Sequence, residues 1–483
     1  MLSVTMCGMT AETNKATYTP TIGLEVHVEL STASKMFCGC TNAPHEAEPN
    51  IHVCPVCMAH PGTLPVVNRE AVKKVIDVGM ALGATIAGYT EFDRKNYFYP
   101  DIPKGYQISQ FKYPLIEGGE LAGVKITRIH LEEDTARSSH EHAEGSLVDY
   151  NRAGVPLMEL VTEPVIHDAE TAGRFGKELQ LLLRELGVSD ANMEKGEMRV
   201  EANISISATN ALGTKVEVKN LNSFKAVEGA IIYEVQRHTA LLERGETIIQ
   251  ETRGWDDNKS ATFSQRKKES SHDYRYFPDP DIPSFSTTDA GVYNESRSSE
   301  ISLKIPSKIR DSFANLGLPS KQIETLIENR DIRHYFDAVI VRNQKLASIA
   351  ANYLTTDVVG ALTSGAIPPI TQSTEAYDSF TSLCELIAQG GITSRVAKDI
   401  LPEVLTGVSA RDIVESRGLL ITRDAATLDR IIAEIIAENP IVVAEYRAGK
   451  LASIQFLIGQ GMKKGKGAVD PAALKDALVQ ALG

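Results

Sequence analysis

Several stretches of this chain carry carboxylates, imidazoles and thiols at spacings that suit metal binding or proton transfer. In Ile22-Gly23-Leu24-Glu25-Val26-His27-Val28-Glu29-Leu30 the aliphatic residues alternate with Gly23, Glu25, His27 and Glu29. A period of two predicts a half-buried β-strand, with Glu25, His27 and Glu29 on one line about 7 Å apart. Such a row offers ligands for a hard cation or an acid/base pair. The design recurs. His130-Leu131-Glu132-Glu133-Asp134 runs a strand into three adjacent acids, which repel one another unless solvated or bound to a cation. Met198 to Ile206 sets Arg199, Glu201, Asn203 and Ser205 against an apolar face, and Lys215 to Lys219 alternates Lys, Glu217 and Lys. Several such strands in one sheet would line one charged basin over a covered core, although polar faces of antiparallel sheets often simply meet water.

Four of the six cysteines form Cys38-Gly39-Cys40 and Cys54-Pro55-Val56-Cys57, thirteen residues apart. In a long chain without a secretory signal, two close pairs predict a structural metal rather than a disulfide framework. Four thiolates give a closed tetrahedral zinc site, with His45, His52 or His60 as possible substitute ligands. Basic residues are placed suggestively too. Arg94, Lys95 and Lys104 sit in an aromatic, Pro-containing segment and can supply counter-charge to a phosphate or carboxylate, so Arg94 and Lys104 are candidate cofactor contacts. Lys463, Lys464 and Lys466 lie among glycines in what reads as a flexible loop, the best local candidate for a nucleic-acid phosphate contact.

The elements that must hold these residues are legible in part. Asn68 can cap a helix ending near Gly83, and Asp168 a helix carrying Phe175, Leu179, Leu182, Leu183 and Leu186 on one face. Between them Val148 to Leu160 reads as strand, tight loop, strand. A further helix runs from Phe224 to about Glu243. Trp255 falls in a polar loop, Asp273 to Pro283 has no period, and Ser284 to Glu300 reads as a Ser/Thr-rich linker. Beyond it the spacing turns helical, first over 306–402 and then from about Gly407, with Ala425 to Glu438 and a last helix begun by Asp470-Pro471.

With 483 residues, 42% hydrophobic and 23% charged, the composition is that of an ordinary globular protein with room for more than one core. No apolar run is long enough to span a membrane. Met1 to Tyr18 holds one basic residue, Lys15, and no apolar core of a signal peptide, so the expected compartment is the cytoplasm. The net charge of −13 argues against a nonspecific nucleic-acid binder. Residues 407–483 carry ten Lys/Arg against nine Asp/Glu, which leaves −14 on the rest.

Six motifs in order resemble the GatB family of the aspartyl/glutamyl-tRNA amidotransferases. They are the opening strand, FDRKNYFYPD at Phe92 to Asp101, HLEED at His130 to Asp134, DYNRAGVPLMEL at Asp149 to Leu160, KNLNSF at Lys219 to Phe224 and DYRYFPDPD at Asp273 to Asp281. The resemblance covers nearly all of residues 20–285. The C-terminal half is similar more weakly, chiefly through Gly459 to Lys463 and the final helix. It implies an α+β fold: a flexible N-terminus (1–20), a mixed or antiparallel-sheet cradle domain with a zinc loop (21–295), an all-α helical domain (296–406) and an all-α YqeY-like tail that binds tRNA (407–483).

The resemblance also implies a two-step reaction in a bacterial cytoplasm. ATP phosphorylates the side-chain carboxylate of a mischarged Glu-tRNA(Gln) or Asp-tRNA(Asn), and ammonia made from glutamine by an amidase partner displaces the phosphate. The implied partners are the amidase GatA and the small protein GatC, in a heterotrimer. Glu25, His27, Glu132, Glu133 and Glu217 match the family's magnesium and active-site positions, and Lys95 a basic residue on the ammonia route. Glu201 stands where relatives commonly have Asp and is not counted. No GxxxxGK[ST] loop occurs, so the nucleotide is expected on the sheet basin rather than on a P-loop. The alternatives are a zinc-stabilised RNA-binding protein with an inert basin, and a free-standing metallohydrolase.

Overall fold

The computed structural model describes residues 17–45, 48–142, 145–267, 274–421, 425–465 and 468–483. Most of the expected flexible N-terminus (1–16), Asp273 and Lys466 lie outside them. The chain divides into two units, 1–308 and 309–483. The first holds the strands β1 (Thr19–Glu29), β2 (Asp93–Asn96), β3 (Tyr106–Ser109), β4 (Val124–Glu133), β5 (Pro156–Thr162), β6 (Met198–Ser207), β7 (Val216–Leu221), β8 (Glu251–Asp256) and β9 (Ala261–Lys267). Seven of them form its main sheet in the spatial order β9-β8-β7-β6-β1-β5-β4, and two-residue strands at Ile116–Glu117 and Thr85–Ile86 continue it. The pairing is antiparallel throughout, except that β8 runs parallel to β7. β2 and β3 pair with each other in a separate small sheet.

The apolar side of β1 is fully covered: Ile22, Leu24, Val26 and Val28 have no exposed surface. Each contributes roughly 1.5–3 kcal/mol by leaving water. They share one core with the helices α1 (Arg69–Ala81), α2 (Ala169–Glu185) and α3 (Phe224–Glu243). Each helix starts where a side chain can satisfy its orphan N–H groups. Asn68 accepts from Glu70 and Ala71, Asp168 from Thr171, and Ser223 from Ala226.

Two stretches depart from expectation. Trp255 lies in β8, not in a loop, and packs edge-on against Tyr233 of α3. The hairpin of β8 and β9 is tied to α3 by a buried charge cluster. Glu234 accepts from Thr262 at 2.5 Å, lies 3.2 Å from the Arg253 guanidinium and pairs with Arg237 at 2.7 Å. The expected linker at 284–300 is instead packed on the first unit. Phe285 and Ser286 pair with Thr90 and Tyr89, Thr287 donates to the Ala87 carbonyl, and Val292 joins the core. The Thr287 hydroxyl thus finds a backbone partner, so polar composition here does not mean a solvated tether.

The second unit is helical, from Pro306–Asn315, which straddles the division, to Pro471–Leu482. Its last part holds a core of its own, with Ile435, Leu457, Leu474 and Leu478 buried. A sheet-based unit followed by helices is the α+β arrangement the motifs imply. No helix among the described residues is long and apolar enough to cross a membrane.

Candidate active site

Strand alternation decides which side chains rise from the polar face of the sheet, and register decides which of them meet. His27 is opposite Arg199 on β6 and Glu159 on β5, and Glu159 is opposite His130 on β4. Glu25 is opposite Glu201, Asn203 is opposite Glu217, and Glu217 is opposite Thr252. These pairings line up the polar faces of six strands as the floor of a cavity of about 280 Å³.

The floor holds two groups of ligand-type side chains, each with donor atoms within 4.8 Å of one another. One is His27, Glu132 and Glu159, and the other is Glu25, Glu201 and Glu217. In the first, His27 Nε2 lies 3.2 Å from Glu159 Oε2, while His130 Nε2 stands 3.2 Å from Glu132 and 3.4 Å from Glu159. Ser109 and Gln107 donate to Glu132 at 2.6 and 2.9 Å, and Lys95 Nζ is 4.0 Å away. In the second, Asn203 donates to Glu25 and Thr252 to Glu217, both at 2.7 Å, and Lys219 pairs with Glu201 at 2.8 Å. Each carboxylate is therefore held in place by at least one neighbouring donor.

Electrostatics keep Glu132 and Glu159 ionised. Burial alone would push Glu132 up, yet Lys95 and His130 hold it down to about 2. Glu159 is buried too, and His130 and His27 keep it well below the usual carboxylate range. The same contacts act on the imidazoles. Against the opposing effect of burial, Glu159 raises His27, and Glu159 with Glu132 raises His130 to about 9. The carboxylates of the basin are balanced by the side chains beside them, His27 and His130 at Glu159, Lys95 at Glu132 and Lys219 at Glu201. A divalent ion would take over that counter-charge, and an all-carboxylate group beside a His/carboxylate group suits a hard cation. Asn203 Oδ1, buried beside Glu25, has no hydrogen-bond donor among the described residues.

Of the expected site residues, Glu25, His27, Lys95, Glu132 and Glu217 come together in this cavity. Glu133, Lys104 and Arg94 do not line it. Glu133 follows Glu132 on a strand and so faces the other way, where it meets Lys104 at 2.5 Å and accepts from Ile108 N at 3.0 Å. Arg94 precedes Lys95 and is likewise turned away, bonded to Asp279 at 2.8 Å and Asp281 at 2.9 Å over the Tyr106 ring. Conversely, Glu159, Glu201 and His130 belong to the floor. Glu159 was signalled by a lone carboxylate in the apolar run Pro156 to Leu160. Glu201 was signalled by its place on the polar face of β6, which outweighs its being longer than the Asp expected there.

The four paired cysteines converge. Cys38, Cys40, Cys54 and Cys57 bring their sulfurs within 4.8 Å of one another, so no histidine is needed to complete four ligands. His45 is engaged elsewhere, 2.9 Å from Glu29. The soft thiolate set fits Zn²⁺. The fully buried Lys35 places Nζ 4.0 Å from Cys57 Sγ and donates to the Ala153 and Tyr150 carbonyls at 2.8 and 3.2 Å. It thereby joins the cysteine loop to the turn before β5.

In the second unit the expected basic loop is a helix, Ser453–Lys464. Gly461 gives the reason: a Cβ there would stand 2.5 Å from Leu474 and 3.0 Å from Ile435, so the glycine marks a close helix contact rather than a hinge. Lys464 is paired with Glu434 at 3.0 Å and Glu438 at 2.7 Å.

Known proteins share this arrangement of domains. Residues 20–292 match the model of the GatB/GatE catalytic domain, and residues 334–482 match a GatB domain. The chain is 40% identical to the B subunit of an aspartyl/glutamyl-tRNA(Asn/Gln) amidotransferase of Picosynechococcus, over 98% of this chain and 99% of the relative. It is 44% identical to the protein of the same name in Thermomicrobium roseum, over 95% and 98%. The B subunit of a chloroplastic/mitochondrial glutamyl-tRNA(Gln) amidotransferase of Ostreococcus lucimarinus is 41% identical, over 95% and 96%.

Proposed function

The chain belongs to the GatB family of tRNA-dependent amidotransferase subunits, and from that premise we propose that its sheet basin activates the side-chain carboxylate of a mischarged aminoacyl-tRNA with ATP. The γ-phosphoryl group passes to a carboxylate oxygen, giving an acyl phosphate and ADP. Ammonia then attacks the acyl carbon, phosphate leaves, and the amide of Gln-tRNA(Gln) or Asn-tRNA(Asn) results. The nitrogen comes from glutamine, hydrolysed by an amidase (GatA) held with this chain and a small third protein (GatC) in a cytoplasmic heterotrimer. The relatives bear the name of amidotransferase subunits, and the reading as a pure RNA binder finds no support among them.

The observation that carries this reading is the pair of ligand groups side by side on one floor. Mg²⁺ held by His27, Glu132 and Glu159 and by Glu25, Glu201 and Glu217 would supply charge neutralisation for phosphoryl transfer. The protein's own part is positioning. Thr252, Asn203, Ser109 and Gln107 fix the carboxylates, and Lys95 sets a cation at the rim of the first group. A zinc ion on the four cysteines is structural, because four thiolates leave no open position. The test is to incubate the purified complex with ATP and either Glu-tRNA or Asp-tRNA, without glutamine, and measure ADP. tRNA-dependent ADP formation with at least one substrate is expected. None with either overturns the proposal.

A further inference from the structure

We propose that a second pocket, at the end of β1, binds a primary ammonium group, carried by a small free amine or by a lysine of a partner subunit. The pocket has a volume of about 170 Å³ and shares no lining residue with the sheet basin, so nothing here rests on the chemistry of that basin. It lies between the loop that follows β1 and the turn between α2 and β6, and its polar lining includes Glu29, Asn42, His45, Asp190, Lys195 and Glu197. Two oxygens there are unmatched. Glu29 is 6% exposed, and its Oε1 is buried with no hydrogen-bond donor among the described residues. Asn42 Oδ1, on the loop, is in the same condition. A buried acceptor without a donor is costly, so both oxygens call for donors brought from outside.

Both side chains are held where they are. His45 Nε2 lies 2.9 Å from Glu29 Oε2, and the Glu29 backbone N–H donates to the Glu197 carbonyl at 2.8 Å. Asn42 Nδ2 donates to the Leu30 carbonyl at 2.9 Å and to Thr32 Oγ1 at 3.2 Å, which leaves Oδ1 as the end for a ligand. Charge and spacing then decide the ligand's class. Three carboxylates line the pocket, while His45 is already on Glu29, and the nearby Arg199 is on Asp134 at 2.6 Å. Lys195 lines the pocket, yet its ammonium makes no hydrogen bond or ion pair among the described residues. A donor that also carries positive charge therefore suits the pocket better than water. Spacing separates an ammonium from a metal ion. Among the described residues, the acids and His45 here do not bring three donor atoms within 4.8 Å of one another, as the basin groups and the cysteines do. An ammonium donates three hydrogen bonds in separate directions and needs no such compact shell, and Ala43 and Pro44 of the lining suit its alkyl stem.

The test uses the purified complex and two measurements. One is equilibrium binding of labelled putrescine in excess KCl and Mg²⁺. The other is treatment with a water-soluble carbodiimide, which joins a carboxylate to an amine in contact with it, read by peptide mass spectrometry. Glu29→Gln keeps the volume and removes the inner charge. Asp190→Asn removes a charge at an exposed position, where the fold does not depend on it. If a free amine occupies the pocket, wild type binds putrescine, Glu29→Gln weakens it about tenfold or more, and Asp190→Asn weakens it by a smaller factor. If a partner's lysine occupies it, wild type binds no putrescine, and the carbodiimide couples Glu29, Asp190 or Glu197 to a lysine of another subunit. Coupling at Asp190 or Glu197 then falls in Glu29→Gln as well. Putrescine binding that both variants leave unchanged overturns the proposal. So does coupling to Lys195 alone, which makes the pocket's cation internal. Neither binding nor coupling in wild type also overturns it, and leaves the pocket to water or inorganic ions.

Discussion

Glu132 and Glu133 are adjacent in the chain, and their carboxylates serve opposite sides of β4. Glu132 faces the basin with His130 and Ser109, and Glu133 faces Lys104. Because a strand turns each successive side chain through half a revolution, the pair cannot share one metal site without breaking the strand. Glu132→Gln should therefore lower tRNA-dependent ATP cleavage by roughly a hundredfold or more, the usual cost of a lost ligand in such a site. Glu133→Gln should lower that step less than tenfold. Equal losses in single-turnover ADP assays would show that Glu133 reaches the chemistry after all.

Glu159 and Glu201 complete the two ligand groups, so Glu159→Gln and Glu201→Gln should resemble Glu132→Gln and Glu25→Gln in the same assay. RNA binding should be retained in each. Normal ADP formation by Glu201→Gln would remove it from the floor's working set. Glu201→Asp keeps the charge on a shorter stem and should fall between the two.

The cysteine cluster predicts about one zinc per chain by metal analysis, with any single Cys→Ser change lowering retention through a chelator challenge. Lys35→Met should weaken zinc retention as well, since it removes the ammonium beside Cys57 and leaves the Ala153 carbonyl without its donor. No zinc, with all four thiols freely alkylated, would reject the site.

Glu234 predicts a pH effect. Burial opposes its ionisation, but His238, Arg237 and Thr262 hold it down to about 2 against an ordinary 4.5. A depressed carboxylate stabilises the fold fully above its unfolded value, and the gain is lost as pH falls from 4.5 toward 2. Glu234→Gln should cost roughly 3 kcal/mol near neutrality, and the gap from wild type should close through that window. Urea unfolding at several pH values measures it, and a gap constant down to pH 3 would refute the assignment.

Lys463 and Lys464 should differ in RNA binding. Lys464 is neutralised by Glu434 and Glu438, so Lys464→Ala should change affinity little. If this helix end meets a phosphate, Lys463→Ala should weaken low-salt RNA binding and reduce its salt dependence by about one counterion. Filter binding across a salt series distinguishes the two.

The opening strand and the helix caps were legible because their causes are local. Alternation over Ile22 to Leu30 requires one covered and one polar face, and Asn68 and Asp168 cap the helices that follow them. The cysteine pairs were legible for a similar reason, since close spacing already limits where thiols can go. The polar reading failed at Trp255, which lies in β8, and at 284–300, where strand pairing and a hydroxyl-to-backbone bond look like loop in composition alone.

By itself, then, the sequence determined the residue types, the alternating faces, the paired cysteines and the family motifs. Tertiary structure alone decided membership of the site. Period two says that Glu132 and Glu133 face apart, but not which of them faces the basin. That choice comes from β5 pairing with β4 and β1, which sets Glu159 between His27 and His130. Register of this kind joins residues more than a hundred positions apart, and no local pattern encodes it.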